Sequence, residues 1–147
     1  MELKFEVYAK IKKPVHEVFD AVYNPKKLSG YFTTGGASAP LDEGTVVTWD
    51  FHDVPGAFPV YVKQTVKNEK LVFEWQSEEK DGGMTRVEIV FEALDEGATL
   101  VKIRESGWKS TQEGLEKSYL NCMGWSQMLC AAKVYVEDGK NLRSFMY

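Results

Sequence analysis

From Glu43 to Ser106 the chain repeats a single pattern, and that pattern decides what it can fold into. Five β-rich runs, 44–53, 58–67, 70–77, 84–94 and 98–106, are separated by turn chemistry at Pro55-Gly56, Asn68-Glu69, Asp81-Gly82-Gly83 and Asp95-Glu96-Gly97. Gaps this short join antiparallel neighbours, so the runs form a meander. An earlier strand is written in Leu3, Phe5, Val7, Ala9 and Ile11, which alternate with polar or charged neighbours. Such a sheet has an apolar face that something must cover.

Only one segment is long enough to do so. Ser110-Thr111-Gln112-Glu113 fits a capping box, and a helix of ~25 residues, roughly 38 Å long, is expected from there to about Asp138, where Gly139 stops it. Between the first strand and the meander, Pro14 opens a short amphipathic helix bearing Val15, Val18, Phe19 and Val22. Asn24-Pro25 ends it, PKKLSGYF makes a second short helix or turn, and TTGGASAP is loop. The expected fold is α+β, a single domain over residues 1–147. A curved antiparallel sheet of about six strands grips the C-terminal helix, with two short helices after the first strand. Space is left between sheet and helix near the mouth.

Phase along each strand separates the faces. Val47, Trp49 and Phe51 share one face; Val60, Val62 and Val66 share another, with Gln64 among them; Leu71, Phe73 and Trp75 continue the series. Val87, Ile89 and Phe91 define the fifth run, and Val101, Ile103 and then Glu105 the sixth. Two polar side chains, Gln64 and Glu105, therefore fall on an apolar face, where an unpaired carboxylate is expensive. On the last helix Leu115, Cys122, Trp125, Leu129, Ala132 and Val136 form the sheet-facing stripe. Gly124 sits beside Trp125 in its interior at a cost of ~1 kcal/mol relative to alanine, which suggests close backbone approach or room for the indole.

Familiar chemistry is absent. A net charge of −4, with no run of Lys or Arg, excludes a nucleic-acid footprint. No apolar run nears the ~18 residues of a membrane span, and MELKFEVYAK has no signal-peptide character. Cys122 and Cys130, eight residues apart on one helix, lie ~12 Å from each other and cannot bridge. A reduced, cytoplasmic protein is expected. His16 and His52 read as outward-facing, so no metal site, cofactor site or catalytic constellation is expected. Gly35-Gly36 has neither the preceding strand nor the Lys-Ser/Thr of a phosphate cradle, and EEKD at 78–81 reads as a solvated hairpin tip.

Three stretches carry a resemblance: KPVHEVFDAVYNPKKLSGYF near the start, KLVFEW at 70–75, and the closing ESGW…NCMGWSQMLCAAKVYVEDG. Together with the element order they are similar to the helix-grip, START-like (SRPBCC) superfamily, which includes polyketide cyclases, pollen-allergen-type proteins and lipid-transfer domains. The branch they resemble more closely is named after the C-terminal domain of the activator of the heat-shock protein 90 ATPase. That resemblance implies a cavity between sheet and helix and no agreed catalytic residues. The eukaryotic co-chaperone has an additional N-terminal domain that this chain lacks, so its ATPase-activating role is not expected here.

Residues and resemblance together point to a binding module for a small hydrophobic or aromatic ligand. Trp49, Phe51, Phe73, Trp75, Ile103 and Trp125 are the expected walls, and Gln64 and Glu105 the polar contacts. Two alternatives stand beside it. One is a chaperone-related or homodimeric interaction domain; the other is a cyclase- or hydrolase-type enzyme using Glu105 as acid or base.

Overall fold

The computed structural model describes residues 1–95 and 97–147; Glu96, in the last of the expected turns, lies outside them. The strands are β1 (Leu3–Ile11), β2 (Gly36–Ala37), β3 (Val46–Phe51), β4 (Val54–Val66), β5 (Lys70–Gln76), β6 (Met84–Leu94) and β7 (Ala98–Trp108). The helices are α1 (Val15–Tyr23), α2 (Pro25–Leu28) and α3 (Gln112–Asp138), followed by a 3₁₀ turn at Leu142–Phe145. One antiparallel sheet runs in the order β1-β7-β6-β5-β4-β3-β2, curved around α3 in a helix-grip arrangement. The expected six strands become seven because the loop TTGGASAP contributes β2, which pairs Gly36 with Asp50 and Ala37 with Trp49.

The turn expected at Pro55-Gly56 falls earlier, at His52-Asp53, and β4 is already running at Val54. A proline is tolerated there because β4 opens at that point, and the start of a strand can forgo a ladder donor. A second departure matters more. The β4–β5 ladder pairs Val62 with Phe73 but Gln64 with Val72, so the register slips by one residue at Lys63. Such a bulge reverses the faces of everything beyond it. Gln64 thus leaves the face of Val62 and Phe73, and Thr65 takes its place, its hydroxyl donating to the Leu41 carbonyl at 2.6 Å.

α3 starts one residue later than the capping box predicts. Thr111, not Ser110, is the N-cap, its hydroxyl accepting from the Gly114 N–H at 3.0 Å. Glu113 turns away from the cap and accepts from the Lys80 N–H at 2.7 Å. The hairpin tip expected to be solvated contributes a buried residue instead. Glu79 accepts from the Ser77 hydroxyl at 2.7 Å and from the Lys109 N–H at 3.1 Å, tying the β5–β6 turn to the entry of α3. At the far end Gly139, with φ of 71°, gives α3 its left-handed stop.

Side chains from α3 also close the free edge of β1. Lys133 donates to the Lys10 carbonyl at 2.8 Å, and Glu137 accepts from the Lys12 N–H at 3.0 Å. Two backbone groups that would otherwise invite another strand are satisfied in this way. The core lies between the sheet and α3, where Trp49, Phe73, Ile89, Ile103, Trp125 and Leu129 are all buried.

Gly114 is a position that the entry of α3 cannot change. A Cβ there would run into the Lys109 carbonyl oxygen, a backbone atom that cannot move aside. Gly114→Ala is expected to destabilise the protein by about 2–3 kcal/mol, measured by chemical denaturation. Unchanged stability would show that the entry of α3 is looser than described.

Candidate functional site

Sheet register brings Glu105 to the inner face, opposite Val87 on β6 and Phe5 on β1. Its side chain is only 1% exposed. Around it stand four side-chain donors from two strands and the helix. Trp125 Nε1 donates to Oε1 at 2.8 Å; Trp75 Nε1 and Thr85 Oγ1 donate to Oε2 at 2.9 and 2.6 Å. Asn121 Nδ2 reaches both oxygens, at 3.2 and 3.1 Å. Trp75 and Thr85 are ladder partners, and Thr85 is diagonal to Glu105 across β6, so the sheet alone supplies half the set.

This donor set suits a carboxylate, which accepts and does not donate when ionised. Burial pushes the Glu105 carboxyl above its ordinary range; hydrogen bonds from Thr85, Trp75, Trp125 and Asn121 pull it back without cancelling the shift. As placed, the two indoles and the amide nitrogen only donate, so the Thr85 hydroxyl is the neighbour able to accept a hydrogen bond from a protonated Glu105.

The two indoles belong to a larger aromatic cluster. Trp75 and Trp125 lie 5.5 Å apart at 32°, and Phe32, from the segment after α2, lies 5.5 Å from Trp125 at 34°. Trp49 meets Phe32, Phe73 and Trp75 near-perpendicularly, at 82°, 72° and 88°. Its Nε1 is buried without a hydrogen-bond partner among the described residues, and these rings are its company. Edge-to-face pairs of this kind contribute about 0.5–1.5 kcal/mol each beyond their burial.

Deep between sheet and helix these rings and their aliphatic neighbours fill the space. The hollow among Ile11, Val18, Tyr31, Leu129 and Ala132 measures about 10 Å³, room for one water at most. Nearer the mouth the packing opens into a cleft of about 180 Å³. Phe51, Phe58 and Trp75 line it from the sheet, Leu120, Asn121, Gly124 and Trp125 from α3, and Phe32 from the loop. Arg143 and Tyr147, carried back by the 3₁₀ turn, close one side. Arg143 Nη2 binds the Asp53 carboxylate at 2.9 and 3.1 Å, and its guanidinium lies 4.7 Å from the Phe51 ring centre. A wider groove of about 600 Å³ is lined by polar and charged residues such as His16, Asp20, Lys27 and Lys67, with Phe19 and Tyr23 as its aromatic residues.

Of the eight residues the sequence singles out, Phe51, Trp75 and Trp125 line the cleft. Trp49, Phe73 and Ile103 are buried beneath it as core. Glu105 supports the walls from behind and is not part of the lining; with donors on both oxygens it faces the indoles, not the open space. Gln64 is half-exposed on the other face, turned there by the bulge at Lys63. Phe32, Val54, Phe58, Gln76, Glu78, Leu120, Asn121, Gly124, Arg143 and Tyr147 also line the cleft and are not among the expected site residues. Asn121 had a signal, since it sits four residues before Trp125 on the same helix face; Leu120 and Gly124, five and one residues before it, flank the sheet-facing stripe. The tail after Gly139 has no periodicity to place Arg143 or Tyr147.

Residues 12–137 match the family model described as activator of Hsp90 ATPase homolog 1-like protein. The chain belongs to this family. No curated protein matches it in sequence. Among solved structures, DynU16 of the dynemicin biosynthetic locus superposes with a TM-score of 0.81 at 23% identity, covering 95% of this chain and 49% of its own. The chain thus spans about half the length of DynU16. SSP2350 of Staphylococcus saprophyticus gives 0.77 at 22% identity, covering 95% and 96% of the two chains. The Aha1 dimer of Colwellia psychrerythraea gives 0.77 at 18%, covering 94% and 98%. At these identities the likeness is one of fold, and it extends over nearly the whole of this family member.

Glu105→Gln tests the carboxylate. Either way round, the amide NH₂ of glutamine meets an indole N–H, so a loss of about 2–3 kcal/mol is expected. Because the folded state holds the Glu105 proton more firmly than the unfolded chain does, this contribution to stability is full below the ordinary value of 4.5. It falls away as pH rises through the higher value of Glu105 itself. The stability gap between wild type and variant should therefore narrow as pH rises, in parallel denaturation series; a gap that widens would contradict the assignment.

Proposed function

We propose that this protein binds a small, flat, apolar or aromatic molecule in the cleft between the sheet and α3. The observation that carries the reading is the pair of cleft walls, Trp75 and Trp125, whose indoles are held by one buried carboxylate behind them. Walls fixed before a ligand arrives lower the ordering cost of binding. An apolar slot with a few polar groups at its rim is the common form of a small-molecule site. At about 180 Å³ the cleft suits a fragment-sized ligand. The origin of DynU16 in a biosynthetic locus is in keeping with small-molecule work in a relative. A reducing, cytoplasmic setting goes with this reading, supported by Cys122 and Cys130 both being free.

Homodimerisation is a second reading, favoured by Tyr119, Leu120 and Met123, which are 64%, 50% and 52% exposed on α3. That a relative was solved as a dimer lends it support. Light scattering tests it: a concentration-independent monomer mass would remove it.

For the binding reading, a ligand of about ten heavy atoms at ~0.5 kcal/mol each would bind with a Kd of ~0.2 mM. At 2 mM it would stabilise the fold by about 1.4 kcal/mol, a rise of roughly 3–5 °C in Tm. Tryptophan emission and Tm followed against a panel of bicyclic aromatics should show at least one such response. A panel that moves neither would remove the reading.

A further inference from the structure

Gly124 is the anomaly in α3. A glycine inside a helix is kept for left-handed backbone, for close packing, or for empty space that something else uses. The first does not apply, since Gly124 is helical and absent from the positive-φ residues. Nor does the second, because, apart from its two chain neighbours and the helix's own backbone, a Cβ built on it would meet no heavy atom of the described residues within 4 Å. Gly114 on the same helix shows what a packing glycine looks like, with a backbone oxygen in the way. What remains is space, and the space above Gly124 is the cleft.

The polar groups beside it narrow the chemistry. Asn121 lies one turn earlier, and its amide must present Nδ2 to the Glu105 carboxylate, which leaves Oδ1 as the free atom. Gln76 must present Nε2 to the Gly82 and Gly83 carbonyls, at 2.8 and 3.2 Å, which leaves Oε1. Neither oxygen has a partner among the described residues. Glu78 adds a carboxylate to the same lining, and the one cation there, Arg143, is already paired with Asp53. The cleft therefore combines ring faces with hydrogen-bond acceptors.

Resting on the cleft as a binding site, we infer that Gly124 is its specificity-determining residue, a notch that admits the edge of a planar aromatic ring carrying an N–H or O–H donor. The donor meets the carbonyl oxygens of Asn121 and Gln76 while the ring lies against Trp75 and Trp125.

Indole and benzofuran, near-isosteres with and without an N–H, are the probes, titrated by calorimetry into wild type and Gly124→Ala. Wild type should bind indole about fivefold more tightly than benzofuran. Gly124→Ala should bind indole at least tenfold more weakly, while its own Tm rises by about 3 °C as the helix gains propensity. Equal affinity for the two probes would overturn the donor assignment. Indole binding by Gly124→Ala at wild-type strength, or a lowered Tm, would overturn the role of the notch even with the cleft reading intact. Wild type binding neither probe would overturn the cleft reading first, and this inference with it.

Discussion

A buried carboxylate organises the end of this protein where the core gives way to the cleft. Taking Glu105 out of water costs several kcal/mol unless its oxygens are met, and here donors meet both. An apolar residue in its place would spare the desolvation but leave two indole N–H groups and an amide unpaired. What the arrangement provides is geometry. Trp75 comes from β5, Trp125 from α3, and Glu105 from β7, so one group fixes the sheet and the helix relative to each other where the core ends and the cleft begins.

Strand phase makes much of this legible in the sequence. It put Glu105 on the inner face with Val101 and Ile103, and it put Trp49, Phe73 and Trp75 inside. What phase cannot give is depth. Trp49 and Trp75 share a face, yet one is core and the other a cleft wall, because distance from the mouth depends on how far the sheet curves. Nor can phase survive an unsignalled bulge. Counting by twos through Lys63 carried Gln64 inward, whereas the ladder drops one residue there and turns it away. Arg143 is invisible for another reason: it follows the helix stop, where the periodic pattern ends, and its position is set by tertiary contact with Asp53 and Phe51.

The two glycines of α3 separate structure from use. Gly114 is demanded by a neighbouring backbone, whereas Gly124 is demanded by nothing in the fold and lowers helix propensity where it sits. A residue that weakens its own element without a packing reason, at the edge of an aromatic slot, is the kind of concession that binding sites make against stability. Family membership accounts for the sheet and the gripping helix.

The central claim is that Glu105 holds the indoles of Trp75 and Trp125, and proton NMR of the indole N–H groups tests it most directly. On titration with acid, the Trp75 and Trp125 N–H resonances should move together through one midpoint above the ordinary carboxylate range, with Trp108 unaffected. Independent movement of the two indoles, or exchange with solvent as fast as an exposed tryptophan, would contradict the account.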